Sequence, residues 1–212
     1  ADELTAAIAD SNVITVRLAA NIDISNTLTV NRTVTLDLNG YALTVGGTEL
    51  DIFSVDENGN LTVKDSGTGG KIDGQNKNCG FCIYGGVLTL ESGTISGCRA
   101  DDDAGAIFIK GNASFVMNGG TIENCSAGFC GGAVKIRNTS SFTMTGGTIS
   151  NCTAQQGGGV YVDDSSTFNM NGGSIANCTA VNGGNSVFVM SGTGGKFTMT
   201  DGTVDGSVTL HF

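Results

Sequence analysis

Proline and tryptophan are absent from this 212-residue chain, and histidine occurs once, at His211. Glycine is abundant, at 34 residues, but without proline it specifies neither a collagen triple helix nor a proline-rich linker. Charge is sparse: 14% of residues are charged against 39% hydrophobic, which argues for a folded core over disorder. Basic residues are the scarcer sign, 10 Lys and Arg against 20 Asp and Glu, for a net charge of −10. A surface this acidic repels phosphate backbones, so nucleic acid is excluded as a partner, and polyanionic substrates are disfavoured unless cations intervene. No apolar run reaches the length of a membrane span.

The chain repeats itself. Gly119–Ala127 reads Gly-Gly-Thr-Ile-Glu-Asn-Cys-Ser-Ala, and close copies stand at Gly146–Ala154 and Gly172–Ala180, with weaker ones at Ser92–Ala100 and Asp201–Ser207. Such self-similarity means one structural unit stacked on itself. Three apolar ladders follow from it. The first is Leu43, Ile72, Ile95, Ile122, Ile149, Ile175 and Val204, with steps of 29, 23, 27, 27, 26 and 29 between those numbers. The second is a pair, from Leu36/Leu38 and Leu61/Val63 through Leu88/Leu90 and Phe115/Met117 to Phe142/Met144, Phe168/Met170 and Phe197/Met199. The third is Phe53/Val55, Cys82/Tyr84, Ile107/Ile109, Val134/Ile136, Val160/Val162 and Val187/Val189. Members of a pair are two residues apart and so share one face of a strand. β-Branched residues and Gly pairs between the ladders are unfavourable in helices.

The spacing therefore predicts an all-β fold: a parallel β-helix of about seven coils, with three short strands per coil stacked about 4.8 Å apart. Gly74, Gly97, Asn124, Asn151, Asn177 and Gly206 each lie two residues after the first ladder. A position that takes only Gly or Asn calls for a left-handed backbone, and is read as a one-residue corner. Leu4, Ala7 and Ile8 have helical spacing after Asp2, which is placed as an N-cap. Residues 1–12 are thus expected to form a helical cap and residues 13–212 the β-helix. The pattern stops in mid-strand at Thr209–Phe212, which predicts a longer parent chain, an end covered by a partner, or self-association end to end or face to face.

Seven cysteines suggest disulfides, but Cys98, Cys125, Cys152 and Cys178 recur at one repeat position, which reads most simply as a stack of buried free thiols. The sequons at Asn31, Asn60, Asn112, Asn124, Asn138, Asn151 and Asn177 arise largely from the repeated Asn-Cys-Ser/Thr and carry no functional reading.

These residues resemble the right-handed parallel β-helix of the pectin-lyase-like superfamily, and most closely the repeats of bacterial adhesin-like surface proteins. Gly131-Gly132-Ala133-Val134 is similar to the Gly-Gly-Ala-aliphatic motif of polymorphic outer-membrane-type repeats. Ile122, Asn124, Cys125 and Ala127 are similar to its partner motif, which usually opens with Phe. Asn31–Gly40 resembles first coils of the superfamily, and the likeness runs over roughly residues 13–210. It implies a fold and not a chemistry, since this fold hosts lyases, hydrolases and adhesins alike.

The substrate face that the resemblance implies is the strand carrying the third ladder. Its outward row is expected to be Ser54, Ile83, Phe108, Lys135, Tyr161 and Phe188, with three aromatics forming an exposed stripe. Asp101, Asp102 and Asp103 precede that strand in one coil, and Asp163 and Asp164 follow it in another. Phe108, Lys135, Tyr161, Phe188 and these five carboxylates are the candidate ligand-binding residues, for a glycan or a cell-surface protein, with Ca2+ as an ion that acidic turns can hold. No other cofactor and no metal centre is expected. Lyase-like chemistry would draw on Lys135 or Arg137 as base, in positions already explained by the repeat. The hydrolase set of the superfamily includes a Gly-His-Gly that His211 cannot supply. Asp163 and Asp164 are adjacent and should point opposite ways, unlike a glycosidase pair held across a bond. The expectation is a non-catalytic, secreted or cell-surface bacterial module for adhesion or a rigid stalk. The alternative is a polysaccharide lyase or glycoside hydrolase acting over Phe108, Lys135 and Tyr161.

Overall fold

The computed structural model describes residues 1–47, 51–77 and 79–212. Among the described residues it is a parallel β-solenoid with three main walls, one short α-helix and one 3-10 turn at Ser191–Thr193. The first wall runs from Thr15–Arg17 through Val87–Leu90, Ser114–Met117 and Ser141–Met144. The second runs from Ile22–Ile24 through Thr94–Ser96, Thr121–Glu123 and Thr148–Ser150. Near the C-terminal end the strands Thr167–Ala176 and Lys196–Val204 run through the corner between them, so both walls belong to one 14-stranded sheet. The third wall is an 8-stranded sheet that includes Phe81–Tyr84, Ile107–Lys110, Val134–Ile136, Val160–Val162 and Val187–Met190.

Every main-wall pairing among the described residues is parallel, and the inward positions place apolar on apolar. Ile95, Ile122, Ile149 and Ile175 are successive partners, as are Phe115, Phe142, Phe168 and Phe197. The phenyl rings lie flat on one another, with centroids 4.7, 4.5 and 5.0 Å apart. Each buried Phe or Ile contributes roughly 1.5–3 kcal/mol by leaving water, and stacking adds to that for the rings.

Two registers differ from the sequence expectation. Val34/Leu36, not Leu36/Leu38, lies on Leu61/Val63. Leu38 sits beyond the strand, in a corner where Asp37 accepts the N–H groups of Asn39 at 3.1 Å and Ser66 at 2.9 Å. In the third wall, Phe81 and Ile83 face the core between Phe53/Val55 and Ile107/Ile109. Cys82 and Tyr84 therefore point outward, and Ile83 leaves the outward row. An apolar run such as Phe81-Cys82-Ile83-Tyr84 satisfies alternation in either phase, and a one-residue slip exchanges the faces.

There is also a fourth, shorter ladder. Arg99–Ala100, Ser126–Ala127, Thr153–Ala154 and Thr179–Ala180 form a 4-stranded sheet of two-residue strands, too short for an alternation signal. The corner before it has the expected backbone: φ is 58° at Gly97, 55° at Asn124, 54° at Asn151, 54° at Asn177 and 112° at Gly206. Gly74 is the exception. There Asp73 accepts the N–H of Gln75, and the left-handed residues are Gln75 and Asn76.

The helix Asp2–Ala9 packs Leu4 and Ile8 on the first coil. Its N-cap position is Ala1 rather than Asp2, which lies within the first turn. The anchor that the sequence did not announce is Arg32. Its guanidinium donates to the Ile8, Ala7 and Val13 carbonyls at 2.6, 2.9 and 2.8 Å, tying down carbonyls left open at the helix end.

Asn151→Val should destabilise the protein by about 1–2 kcal/mol through backbone strain, whereas Asn151→Gly should change it by only a few tenths. Urea midpoints of the two variants check this.

Candidate functional site

The outward row of the third wall is Ser54, Cys82, Phe108, Lys135, Tyr161 and Phe188. Its aromatics are stacked, Tyr161 on Phe188 at 5.4 Å, but they do not form the expected exposed stripe. Tyr161 is 5% exposed, Phe188 2% and Lys135 6%, while Phe108 is half-buried. The cover is the segment that links the fourth ladder to the third wall in the coils of Tyr161 and Phe188. It folds back over the wall because glycine lets it come close. A Cβ on Gly157 would stand 3.0 Å from the Tyr161 Cβ, and one on Gly184 would stand 2.7 Å from the Phe188 Cβ. These glycines, with Gly131, also have φ of 63°, 66° and 73° respectively. The Gly-Gly motif is thus a strap over the wall, a role that alternation within strands does not reveal.

Lys135 holds the strap from below. Its Nζ lies 2.5 Å from Asp103 Oδ2, and 5.2 Å and 6.0 Å from the ring centres of Tyr161 and Phe108. A buried cation so placed gains from both the carboxylate and the ring faces. Burial pushes the Tyr161 hydroxyl up, aided by the neighbouring Cys130 and Asp163, so it is a neutral group at physiological pH.

Below Lys135 the cover is incomplete, and a cleft of about 590 Å³ opens. Asp51, Asn76, Lys77, Cys79, Cys82, Arg99, Asp101, Asp102, Asp103, Phe108 and Lys110 line it. A second groove of about 400 Å³ runs along the small residues of the fourth ladder. In the cleft, Lys110 Nζ lies 4.8 Å from the Phe108 ring centre and Arg99 pairs with Asp101 at 3.3 Å. Burial pushes the Asp51 carboxyl up, opposed by a hydrogen bond with Cys79 and the charge of Lys110. At the position where other coils carry Gly131, Gly157 and Gly184, this coil has Ala104 at φ 59°. An alanine there costs about 1–2 kcal/mol of strain.

The structure thus brings Asp101, Asp102, Asp103 and Phe108 to one cleft, with Lys135 behind it. Tyr161 and Phe188 are column neighbours but covered. Asp163 and Asp164 sit in a turn at the far end of the third-wall strand. Asp163 accepts from the Thr193 hydroxyl at 2.6 Å, and Asp164 pairs with Arg137 at 3.3 Å. Sequence reasoning missed Asp51, Cys79, Cys82 and Lys110; Lys110 shares the strand of Phe108, while Asp51 and the two cysteines come from two further coils and reach it only through the stacking. The Cys79-Gly-Phe-Cys82 spacing was the one signal available for them. Among the described residues, no three His, Cys, Asp or Glu side chains are placed to hold a metal ion. The cysteine ladder is buried, and all seven cysteines are free thiols, as the repeat spacing suggested for the four of the ladder.

Lys135→Met keeps the stem between the rings but leaves Asp103 without its cation. Because Asp103 is partly wet, the expected loss is about 2 kcal/mol, below the range for fully buried pairs. Faster labelling of Cys130 by a thiol reagent should accompany it, as the strap loosens. An unchanged urea midpoint would contradict this role.

No helix among the described residues is long and apolar enough to cross a membrane. No curated protein and no solved structure matches the chain. The model of the right-handed β-helix region matches residues 51–209, which takes in all of the cleft and its strap. With its parallel walls and in-register ladders, the chain belongs to the right-handed β-helix family.

Proposed function

We propose that this chain is a non-catalytic binding module of a secreted or cell-surface bacterial protein, which presents the cleft over its third wall to a glycan in adhesion while the rod serves as a stalk. The observation that carries this reading is the departure of one coil from its neighbours. The strap glycine is replaced by the strained Ala104, three Asp residues precede it, and the outward ring, Phe108, is partly uncovered. Strain of this kind persists only where the surroundings over-determine it, and it clusters at functional sites.

The cleft's chemistry suits sugar hydroxyls. Asp101 and Asp102 are exposed carboxylates that accept hydrogen bonds, and Phe108 offers an apolar edge. Asp103 is engaged by Lys135 and Asp101 by Arg99, which favours the role of hydroxyl acceptor over that of a calcium cage. Asp163 and Asp164 each have other partners, which weighs against a convergent catalytic pair.

Screening against a panel of plant and host glycans tests the reading. Binding without release of reducing or unsaturated ends is expected. Phe108→Ala and Asp102→Asn should each weaken it about tenfold, equivalent to roughly 1.4 kcal/mol. Tyr161→Ala should lower stability instead. Product release, or no binding across the panel, would overturn the proposal.

A further inference from the structure

We infer that Lys135 and Asp103 are a modification site: the two side chains condense to an intramolecular amide, Nζ to Cγ, that staples two successive coils. Both residues depart from their repeat files. The file of Lys135 is otherwise Ser54, Cys82, Phe108, Tyr161 and Phe188, with no second cation. Asp103 is followed in its file by Cys130 and Gln156. The two departures meet across one step of the solenoid, with Nζ 2.5 Å from Oδ2. Among the described residues this is the shortest ion pair and the only one whose cation is buried. The ammonium can donate three hydrogen bonds, yet among the described residues Asp103 is the one acceptor it meets. The rings of Tyr161 and Phe108 flank it. A Cβ on Gly131 would stand 3.0 Å from the Lys135 Cβ, so the strap crosses directly over this residue. A buried ion pair with unmet donors recovers little of its desolvation cost, and a neutral amide removes both charges at once.

The reaction balances without a co-reactant. Nζ starts with three hydrogens. One passes along the contact to Oδ2, leaving an amine beside a carboxylic acid. The amine lone pair attacks Cγ, and the carbonyl electron pair moves onto Oδ1. A second hydrogen then goes from nitrogen to Oδ2, the Cγ–Oδ2 bond breaks, and water departs as the carbonyl re-forms. The amide keeps the third hydrogen, and the net charge is unchanged. Cγ lies one bond beyond Oδ2, so a small turn of the carboxylate brings it to the roughly 3–3.5 Å of a near-attack contact. Well-oriented partners reach effective molarities of about 10⁵–10⁸ M, enough to outweigh the bulk water that hydrolyses free amides. The Asp103 side chain is 27% exposed and lines the cleft, which gives the departing water an exit while the amine stays covered. A solenoid opens coil by coil, and an amide between two coils stops that unzipping at its rung. The inference does not depend on what sugar, if any, the cleft takes.

Intact mass spectrometry of the purified full chain tests it. The wild type should weigh one water less than its sequence, and a protease digest should yield the Asp103 and Lys135 peptides joined. Lys135→Arg keeps the cation, but a guanidinium stays protonated and does not attack, so this variant should show the full mass. Asp103→Ala should show it too, whereas Asp102→Asn should lose water as the wild type does. Circular dichroism checks that each variant is folded, and the joined peptides of the wild type carry the assignment where one is not. Full sequence mass in the wild type would overturn it. So would a water loss that survives Lys135→Arg, the mark of a succinimide at an Asp-Gly step such as Asp73, Asp201 or Asp205.

Discussion

In-register parallel pairing is the constraint on which the rest of this molecule depends. Each coil lays its backbone on the one below, so a residue's neighbours across the ladder are its own counterparts one repeat away. Phe142 between Phe115 and Phe168, and Ile149 between Ile122 and Ile175, are consequences of that geometry. A side chain that suits the position once suits it in every coil, and selection for packing then writes the repeat into the sequence. The free cysteines belong to the same logic. Stacked thiols fill a narrow column as small apolar groups; the neighbouring thiol and then burial push Cys152 and Cys178 up, and their S–H groups donate to the Ser150 and Ala176 carbonyls.

The same constraint restricts where function can arise. Walls one and two are closed inward by core packing and carry short polar side chains outward, such as the Thr94, Thr121 and Thr148 file. The third wall is different because a strap crosses it. Glycine permits the close approach, and where glycine gives way to Ala104 the cover opens into a charged cleft. Lys135 links the two regimes: it is part of the buried column by position, and it fixes the acidic segment at the cleft edge through Asp103. Column packing and the charge of the cleft edge meet in that one side chain.

The repeat made the ladder of Ile72, Ile95, Ile122, Ile149 and Ile175, the Phe column and the Asn corners legible before any coordinates, because each is a periodic demand of a single backbone shape. Where periodicity weakened, legibility failed in a physically specific way. Phe81–Tyr84 is apolar in both phases, so alternation could not choose its inward face. Leu38 is as apolar as Leu36, and only the Asp37 corner shows that the strand has ended. The strap could not be read at all, since its glycines look like ordinary turn residues until their distance to Tyr161 and Phe188 is known.

Sequence by itself determined the solenoid, its apolar columns and the stacked free thiols, because these are set by interactions between equivalent positions that recur down the chain. Tertiary structure alone decided that Tyr161 and Phe188 are covered, that Lys135 reaches Asp103, and that Asp51, Cys79, Cys82, Asp101 and Phe108 share one cleft. Those are contacts between non-equivalent positions in different coils and loops. No period encodes them, and only the path of the chain over its own surface brings them together.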